Sequence, residues 1–162
     1  MHIVLVEPEI PQNTGNIART CAATGSTLHL IEPMGFSIAD KYVKRAGLDY
    51  WPLVDVKVYG SWAEFQAQHV GATMHYATTK APRGYHEVAY GVGDYLVFGP
   101  ETRGLPETLL RDVYDRCVRI PMREEARSLN LSNAVAVVLY EALRQQGYPG
   151  LLDVGQLRGG TV

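Results

Sequence analysis

The sequence predicts an α/β protein in which a mostly parallel sheet carries helices on both faces. Short apolar runs typical of buried strands alternate with helical runs over most of the 162 residues. Parallel strands need long crossover connections, which these helical runs supply. With 46% hydrophobic and 20% charged residues, the chain can fill one core. We expect a single domain over residues 1–150 and a flexible C-terminal tail over residues 151–162.

The first strand and the first helix are predicted from the N-terminal residues. His2–Val6 is short, apolar and rich in β-branched residues, which indicates a buried strand. Asn13 or Thr14 is expected to cap a helix over 15–24, because their side chains accept hydrogen bonds from the free N–H groups of a first turn. Gly25 is expected to end this helix.

The remaining elements continue the alternation. Further strands are predicted at 27–31, 54–59, 72–77, 95–98 and 117–120. Further helices are predicted at 40–46, 62–69, 106–111 and 130–146. Ser61 is a suitable cap for the helix at 62–69, Pro106 suits a first helical turn, and Gly147 is expected to end the last helix.

The last helix is apolar nearly all round, whereas a surface helix normally has one apolar stripe. Its apolar residues are Ala134, Val135, Ala136, Val137, Val138, Leu139 and Ala142. We therefore expect the helix either to be central or to be covered on a second side by a partner chain. A two-fold homodimer is the commonest arrangement of that kind.

Composition argues against several classes of protein. No apolar run approaches the roughly 18 residues of a membrane helix, and the N-terminus lacks the basic region of a secretion signal. The only two cysteines, Cys21 and Cys117, lie in apolar contexts without a CxxC motif. We expect buried thiols, no metal site and a reducing cytoplasmic setting. The net charge of -2 gives no overall signature of nucleic-acid binding, although local basic clusters remain.

Common catalytic and nucleotide-binding motifs are absent from the sequence. No G-x-G-x-x-G follows the first strand, which argues against a Rossmann dinucleotide site. There is no P-loop motif, which argues against a P-loop NTPase. There is no G-x-S-x-G nucleophile elbow, which argues against an α/β-hydrolase. The five histidines have no metal-ligand spacing.

The most informative segment is the turn 99–106, which follows the apolar strand 95–98. Its glycines and prolines fix the backbone and let a ligand approach the main chain. Within it lie one acid, Glu101, and one base, Arg103. In α/β proteins a polar turn at the carboxyl end of a strand is the usual place for a ligand, although an ordinary connection remains the alternative for this segment taken alone.

Two other segments carry residues suited to a site. In the segment 13–20 taken alone, helix capping is the better explanation for Asn13, and a surface ion pair is the better explanation for Arg19. At the start of the last helix there are four small polar residues, although one is enough to cap a helix. They are Ser128, Asn130, Ser132 and Asn133, and their number suggests that some of them bind another group. The preceding turn 120–122 offers an apolar surface with free backbone groups, which suits an adenine ring.

Taken together, the three segments resemble the motifs of the SPOUT methyltransferases, in the SpoU branch that methylates ribose 2′-hydroxyls of RNA. The matching residues are Asn13, Gly15 and Arg19; Phe98, Gly99, Pro100, Glu101, Gly104 and Leu105; and Ile120, Pro121, Met122, Ser128, Leu129, Asn130, Leu131 and Ser132. The resemblance covers about residues 1–150. Stretches at 4–11, 45–50 and 147–150 are similar to the members that methylate the wobble nucleotide, position 34, of tRNA.

The resemblance implies a SPOUT fold with a deep trefoil knot in the C-terminal third. It also implies S-adenosyl-L-methionine as the methyl donor, tRNA as the substrate and a homodimer with a shared active site. The expected reaction is methylation of the ribose of a cytidine or uridine at position 34.

The resemblance also implies roles for individual residues. The cofactor pocket is expected to be lined by Ala77, Thr78, Gly99, Ile120, Met122, Ser128 and Leu129. Roles in the chemistry are expected for Arg19, Asn13, Glu101, Ser128, Asn130 and Tyr140. RNA contacts are expected from Lys41, Arg45, Lys80, Arg83, Arg103, Arg123 and Arg127. We expect Glu101 either to form an ion pair with Arg19 or to lower the free-energy cost of burying the positively charged sulfonium. We expect Tyr140 to contact the Arg19 of the partner chain.

Two alternatives remain at this point. The first is a SPOUT-like protein that binds adenosylmethionine or RNA without catalysis, which only an activity assay separates from the enzyme. The second is a doubly wound domain for another adenine nucleotide, which the missing nucleotide motifs disfavour.

Overall fold

The computed structural model describes residues 1–38, 50–152 and 154–157, which form a six-stranded sheet with flanking helices. The strands are β1 (His2–Val6), β2 (Thr27–Ile31), β3 (Val56–Tyr59), β4 (Met74–Ala77), β5 (Tyr95–Phe98) and β6 (Cys117–Val118). Their order is β3-β2-β1-β5-β4-β6, and every neighbouring pair is parallel. The predicted parallel sheet is confirmed, and the last strand is shorter than predicted because the chain leaves β4 after Val118.

Four α-helices accompany the sheet in the described part of the chain. They are α1 (Pro11–Thr24), α2 (Trp62–Gln68), α3 (Glu107–Asp112) and α4 (Leu131–Gln145). Short 3-10 helices occur at Trp51–Leu53, Tyr85–Glu87 and Tyr114–Arg116. The helix predicted at 40–46 lies outside the described residues. Ser61 caps α2, accepting a hydrogen bond from the Glu64 N–H at 3.2 Å as predicted.

The predicted cap of the first helix is wrong. The helix α1 begins at Pro11 after Ile10, and both Asn13 and Thr14 lie buried inside it. Proline suits this first position because its φ is already helical and it has no N–H to satisfy. At the other end the prediction is confirmed, since Gly25 adopts the left-handed conformation with φ +65°.

The helices cover both faces of the sheet, as predicted. On one face α1 and α4 pack against alternate strand residues such as Ile3 and Leu5. On the other face α2 and α3 pack against Val4 and Val6. Successive side chains of a strand point to opposite faces of the sheet. Because helices cover both faces, the sequence of a central strand is apolar at nearly every position.

The helix α4 leaves one side uncovered. Buried residues of the helix, including Val135 and Leu139, face the core. Val137 is 37% exposed and Tyr140 is 45% exposed on the outer side. Within one chain, therefore, α4 is a core helix with an apolar outer strip rather than a fully enclosed one.

The two cysteines, Cys21 and Cys117, are free and buried, as predicted. Burial raises the pKa of the Cys21 thiol to about 12, which keeps it protonated and unreactive. None of the described helices combines the length and the apolar character needed to cross a bilayer.

A cluster of rings surrounds the buried His29 of β2. Its Nδ1 lies 3.0 Å from the Tyr59 hydroxyl, and its Nε2 lies 3.0 Å from Nδ1 of His2. The rings of His69 and Tyr95 also contact it. Burial, reinforced by the neighbouring histidines, lowers the pKa of His29 to about 3, so its imidazole is neutral in the folded protein.

Folding stability is expected to fall as the pH is lowered from about 6.5, the ordinary pKa of histidine, towards the folded-state value of about 3. In that window the unfolded chain binds a proton at His29 that the folded chain excludes. The free energy of unfolding should then decrease by up to about 1.4 kcal/mol per pH unit. Burial also lowers the pKa of His2, which acts in the same direction.

Urea titrations of the wild type and of His29→Gln at pH 7 and pH 5 measure this effect. The glutamine cannot titrate, so the variant should lose less stability than the wild type between the two pH values. An equal loss in both proteins would contradict the account of the buried neutral imidazole.

Candidate functional site

A cavity of about 520 Å³ opens at the carboxyl edge of the sheet. The last residues of β4, β5 and β6, which are Ala77, Phe98 and Val118, all line it. Because these strands are parallel, the loops that follow them meet at the same edge. The start of α4 completes the wall, so the three segments identified in the sequence converge here.

The turn after β5 is packed tightly against itself. A Cβ atom at Gly99 would lie 2.3 Å from the Leu105 nitrogen and 2.4 Å from the Gly104 carbonyl carbon. No side chain fits at position 99 without moving backbone. Gly104 has φ +67°, and its N–H donates to the Pro100 carbonyl at 2.9 Å. These two glycines make the compact turn possible and bring its main chain to the cavity.

The Glu101 carboxylate of this turn holds the start of α1. It accepts hydrogen bonds from the N–H groups of Glu9 at 2.8 Å and Ile10 at 3.2 Å, and from the Asn13 side-chain amide at 3.0 Å. A carboxylate at a helix N-terminus satisfies free N–H groups and interacts favourably with the helix dipole. Glu101 therefore fixes the two residues that lead into α1 and orients the Asn13 side chain, while no side chain caps the first turn itself.

Asn13 and Asn130 connect all three segments. The Asn13 Oδ1 accepts a hydrogen bond from the Asn130 side-chain amide at 3.0 Å. Asn130 in turn caps α4, because its Oδ1 accepts from the N–H of Ser132 at 3.0 Å and of Asn133 at 3.4 Å. The Ser132 hydroxyl also donates to it at 2.7 Å. A continuous series of hydrogen bonds thus runs from Glu101 through Asn13 to the start of α4.

A second set of polar contacts, which the sequence reasoning missed, joins the same loops. Glu9 accepts hydrogen bonds from the Thr102 N–H at 3.0 Å and the Thr102 hydroxyl at 2.9 Å. Arg103 forms ion pairs with both Glu7 and Glu9. Two acids, Glu7 and Glu9, follow β1, which lies beside β5 in the sheet. They are the sequence signal that could have predicted these contacts with Thr102 and Arg103.

The opposite wall of the cavity is apolar with free peptide groups. Ile120, Met122 and Leu129 line it, and their backbone groups make no hydrogen bonds within the described residues. An adenine ring needs such a surface, apolar on its faces and with backbone donors and acceptors at its edge.

The predicted residues divide clearly by position. The seven predicted cofactor residues all line the cavity: Ala77, Thr78, Gly99, Ile120, Met122, Ser128 and Leu129. Of the residues predicted to take part in the chemistry, four line it: Asn13, Glu101, Ser128 and Asn130. Arg19 and Tyr140 do not.

Arg19 lies on an exposed side of α1. Its guanidinium carbon is 4.6 Å from the centre of the Tyr50 ring, a cation–π contact. The expected pairing of Arg19 with Glu101 is wrong for the described residues, because both Glu101 oxygens bind the start of α1 instead. Tyr140 projects from the uncovered side of α4.

The predicted RNA-binding residues differ in their surroundings. Lys80, Arg103 and Arg127 line the cavity, whereas Arg83 lines a smaller one beside it. Three of the cations are paired with carboxylates: Lys80 with Glu107, Arg103 with Glu7 and Glu9, and Arg123 with Glu125. The hydrogen bond from the Lys80 ammonium lowers the pKa of Glu107. Lys41 and Arg45 lie outside the described residues, which contain no cluster of side chains suited to a metal ion.

Comparison with known proteins gives the same family for most of the chain. Residues 1–140 match the model of the SpoU rRNA Methylase family. A tRNA (cytidine(34)-2'-O)-methyltransferase of Saccharophagus degradans is 53% identical over 150 residues, which cover 92% of this chain and 97% of that relative.

Solved structures are similar over nearly the whole chain. One, described as giving structural insights into the 2-OH methylation of C/U34 on tRNA, has a TM-score of 0.84 and 48% identity, covering 90% of this chain and 95% of that one. The SpoU methyltransferase AviRb of Streptomyces viridochromogenes, in complex with AdoMet, has a TM-score of 0.78 and 25% identity. That match covers 90% of this chain and 57% of the other. The α/β fold described above is therefore that of SpoU methyltransferases.

Proposed function

Because this chain belongs to the SpoU rRNA methylase family, we propose that it methylates the ribose 2′-hydroxyl of the nucleotide at position 34 of tRNA. The nucleotide is a cytidine or a uridine, and the methyl donor is S-adenosylmethionine. The observation that carries the proposal is the convergence of all three motif segments on one cavity, joined by Glu101, Asn13 and Asn130. The name of the Saccharophagus relative and the description of the C/U34 structure supply the substrate.

The residues present fit S-adenosylmethionine. The unpaired peptide groups of Ile120, Met122 and Leu129 suit the adenine edge, and Gly99 keeps the turn main chain free of side-chain atoms. A volume of about 520 Å³ is within the range of small-molecule sites. When bound, this cofactor supplies an electrophilic methyl group on a sulfonium.

The polypeptide must place the ribose hydroxyl in line with that methyl group and assist loss of its proton. Arg19 is a poor base, because a guanidinium carries only hydrogen-bond donors and no acceptor. Its guanidinium instead binds the neighbouring phosphate or stabilises the negative charge that develops on the ribose oxygen. Ser128 and Asn130, at the cavity, position the ribose or the cofactor.

The site is completed by a second copy of the chain. Arg19 lies outside the cavity of its own chain, and the outer strip of α4 with Val137 and Tyr140 is available for a two-fold contact. In this homodimer the cavity of one chain receives the partner's Arg19, and Tyr140 lies near it.

Mixed dimers test this arrangement. Arg19→Ala and Asn130→Ala are each expected to be inactive as homodimers. When the two variants are unfolded, mixed and refolded together, a shared site predicts recovery of about a quarter of the wild-type activity, since half of the random dimers contain one complete site. No recovery in a sample shown to contain mixed dimers would mean that Arg19 acts within its own chain.

The chain also forms the deep trefoil knot of the SPOUT fold, in our proposal. After β6 the main chain passes alongside the loop 83–85, where the Arg119 N–H donates to the Arg83 carbonyl and the Tyr85 N–H donates to the Arg119 carbonyl. It then returns to α4, which packs on α1. A C-terminal knot requires the chain to pass through the loop between β4 and β5, and this close approach of residue 119 to that loop supports the proposal. We place the enzyme in the cytoplasm, where its tRNA substrate is found.

Transfer of label from S-adenosylmethionine tests the activity directly. The purified protein with tritiated methyl donor should label tRNA, and nuclease digestion should release the label as 2′-O-methylated cytidine or uridine. Calorimetry should show cofactor binding by the same preparation. Cofactor binding without any methylated product would instead identify a non-catalytic binding protein and overturn the proposal.

A further inference from the structure

We propose that the smaller cavity beside the site binds one backbone phosphate of the RNA substrate. This cavity has a volume of about 390 Å³, and its lining includes the two arginines Arg83 and Arg119 together with His86. The inference rests on the proposed function for the identity of the RNA. It adds a specific place where that RNA is held outside the methyl-transfer cavity.

The basic residues of this phosphate cavity are carried by ordered backbone. The Arg119 N–H donates to the Arg83 carbonyl at 3.0 Å, and the Tyr85 N–H donates to the Arg119 carbonyl at 2.9 Å. This parallel bridge between Gly84 and Arg119 continues the sheet beyond β6. His86 packs over Gly84, where a Cβ would lie 2.6 Å from its Cε1 atom. The backbone that carries Arg83, His86 and Arg119 is therefore ordered before any ligand arrives.

The two guanidinium groups have no protein partner among the described residues. Arg83 and Arg119 form no ion pair, side-chain hydrogen bond or ring contact there. The acid of this cavity, Glu87, is engaged with the backbone, accepting from the Gly84 N–H. Among the other basic residues around the site, Lys80, Arg103 and Arg123 are paired with carboxylates, whereas Arg127 of the larger cavity has no ion pair within the described residues. The phosphate cavity thus contains two arginines without an ion pair in the described residues and one carboxylate, that of Glu87, which leaves a net positive charge.

A phosphodiester group matches this arrangement. Arginine presents a planar fork of donors that fits phosphate oxygens, and two arginines that line one cavity can both bind the same anion. The cavity shares Met122 with the larger one, and Pro121 lies on its side of the same segment. A single-stranded RNA that places a ribose in the larger cavity can therefore place a neighbouring phosphate in the smaller one.

The double variant Arg83→Gln/Arg119→Gln tests the inference. We expect the KM for tRNA to rise about tenfold, as for loss of hydrogen bonds to a charged group, while kcat changes by less than about twofold. The slope of log K against log salt should become shallower by about 0.7, the contribution of one phosphate of single-stranded RNA. Adenosylmethionine binding, measured by calorimetry, should be unchanged.

Arg111→Gln is the matched control, because Arg111 is an exposed arginine of α3 that lines neither cavity. It should leave KM and the salt slope at the wild-type values. If the double variant kept the wild-type KM and salt slope, the phosphate cavity would be wrong while the proposed methyltransferase stood. A wild-type protein that failed to methylate tRNA would overturn the proposed function itself, and the inference with it.

Discussion

Replacing Arg19 with alanine is expected to lower kcat for tRNA methylation by about 10²- to 10³-fold, the usual effect of removing one group that stabilises developing charge. The reason is that, in our account, the guanidinium of Arg19 binds the phosphate or the negative charge that develops on the ribose oxygen in the partner's cavity. The fold should survive, because Arg19 is exposed and its ring contact within the described residues is with Tyr50. Loss of such a contact weakens stability by about 1 kcal/mol or less.

Single-turnover transfer of a tritiated methyl group gives the rate, and thermal unfolding gives the stability. Arg19→Lys keeps the charge but loses the planar fork of donors, so it should recover only part of the activity. Arg111→Ala, a change of the same type on α3, should retain full activity and serves as the control. Full activity of Arg19→Ala would show that the assignment of Arg19 is wrong.

Gly99→Ala is expected to have the largest effect on stability. Its Cβ would meet backbone atoms of Gly104 and Leu105 at 2.4 Å and 2.3 Å, and backbone gives way less easily than the end of a side chain. Overpacking of this kind destabilises a protein by about 3 kcal/mol. The turn must also shift into or away from the cavity, so adenosylmethionine affinity should fall as well.

Gly104→Ala separates steric crowding from backbone strain. A Cβ at Gly104 would meet nothing within 4 Å, but its φ is +67°. The expected loss is therefore only about 1 kcal/mol. Urea titration measures both variants. Equal stability of Gly99→Ala and wild type would contradict the packing described for this turn.

Elements determined by local sequence were predicted well, and those determined by distant partners were not. The strands β1, β2 and β5 have the predicted bounds because they are buried on both faces and read as continuous apolar runs. The start of α1 was predicted wrongly because Asn13 and Thr14 look like caps. The group that holds the Asn13 side chain, Glu101, lies 88 residues away from it in the chain.

The site shows the same division. Spacing and residue type in the three segments were enough to identify most of the residues that line the cavity, because those segments follow parallel strands. The hydrogen bonds between Thr102 and Glu9 join residues that are 93 positions apart in the sequence. They form only because β1 lies beside β5 in the sheet. Likewise, the sequence gives a list of basic residues but does not reveal which are neutralised. Only the structure separates the paired Arg103 from the unpaired Arg119.

Mapping of ribose methylation in total tRNA, from cells with and without this protein, tests the central claim most directly. The account predicts that 2′-O-methylation at nucleotide 34 of some tRNAs disappears when the protein is absent and returns with the wild-type chain but not with Arg19→Ala. Unchanged methylation at position 34, or loss at a different nucleotide, would contradict it.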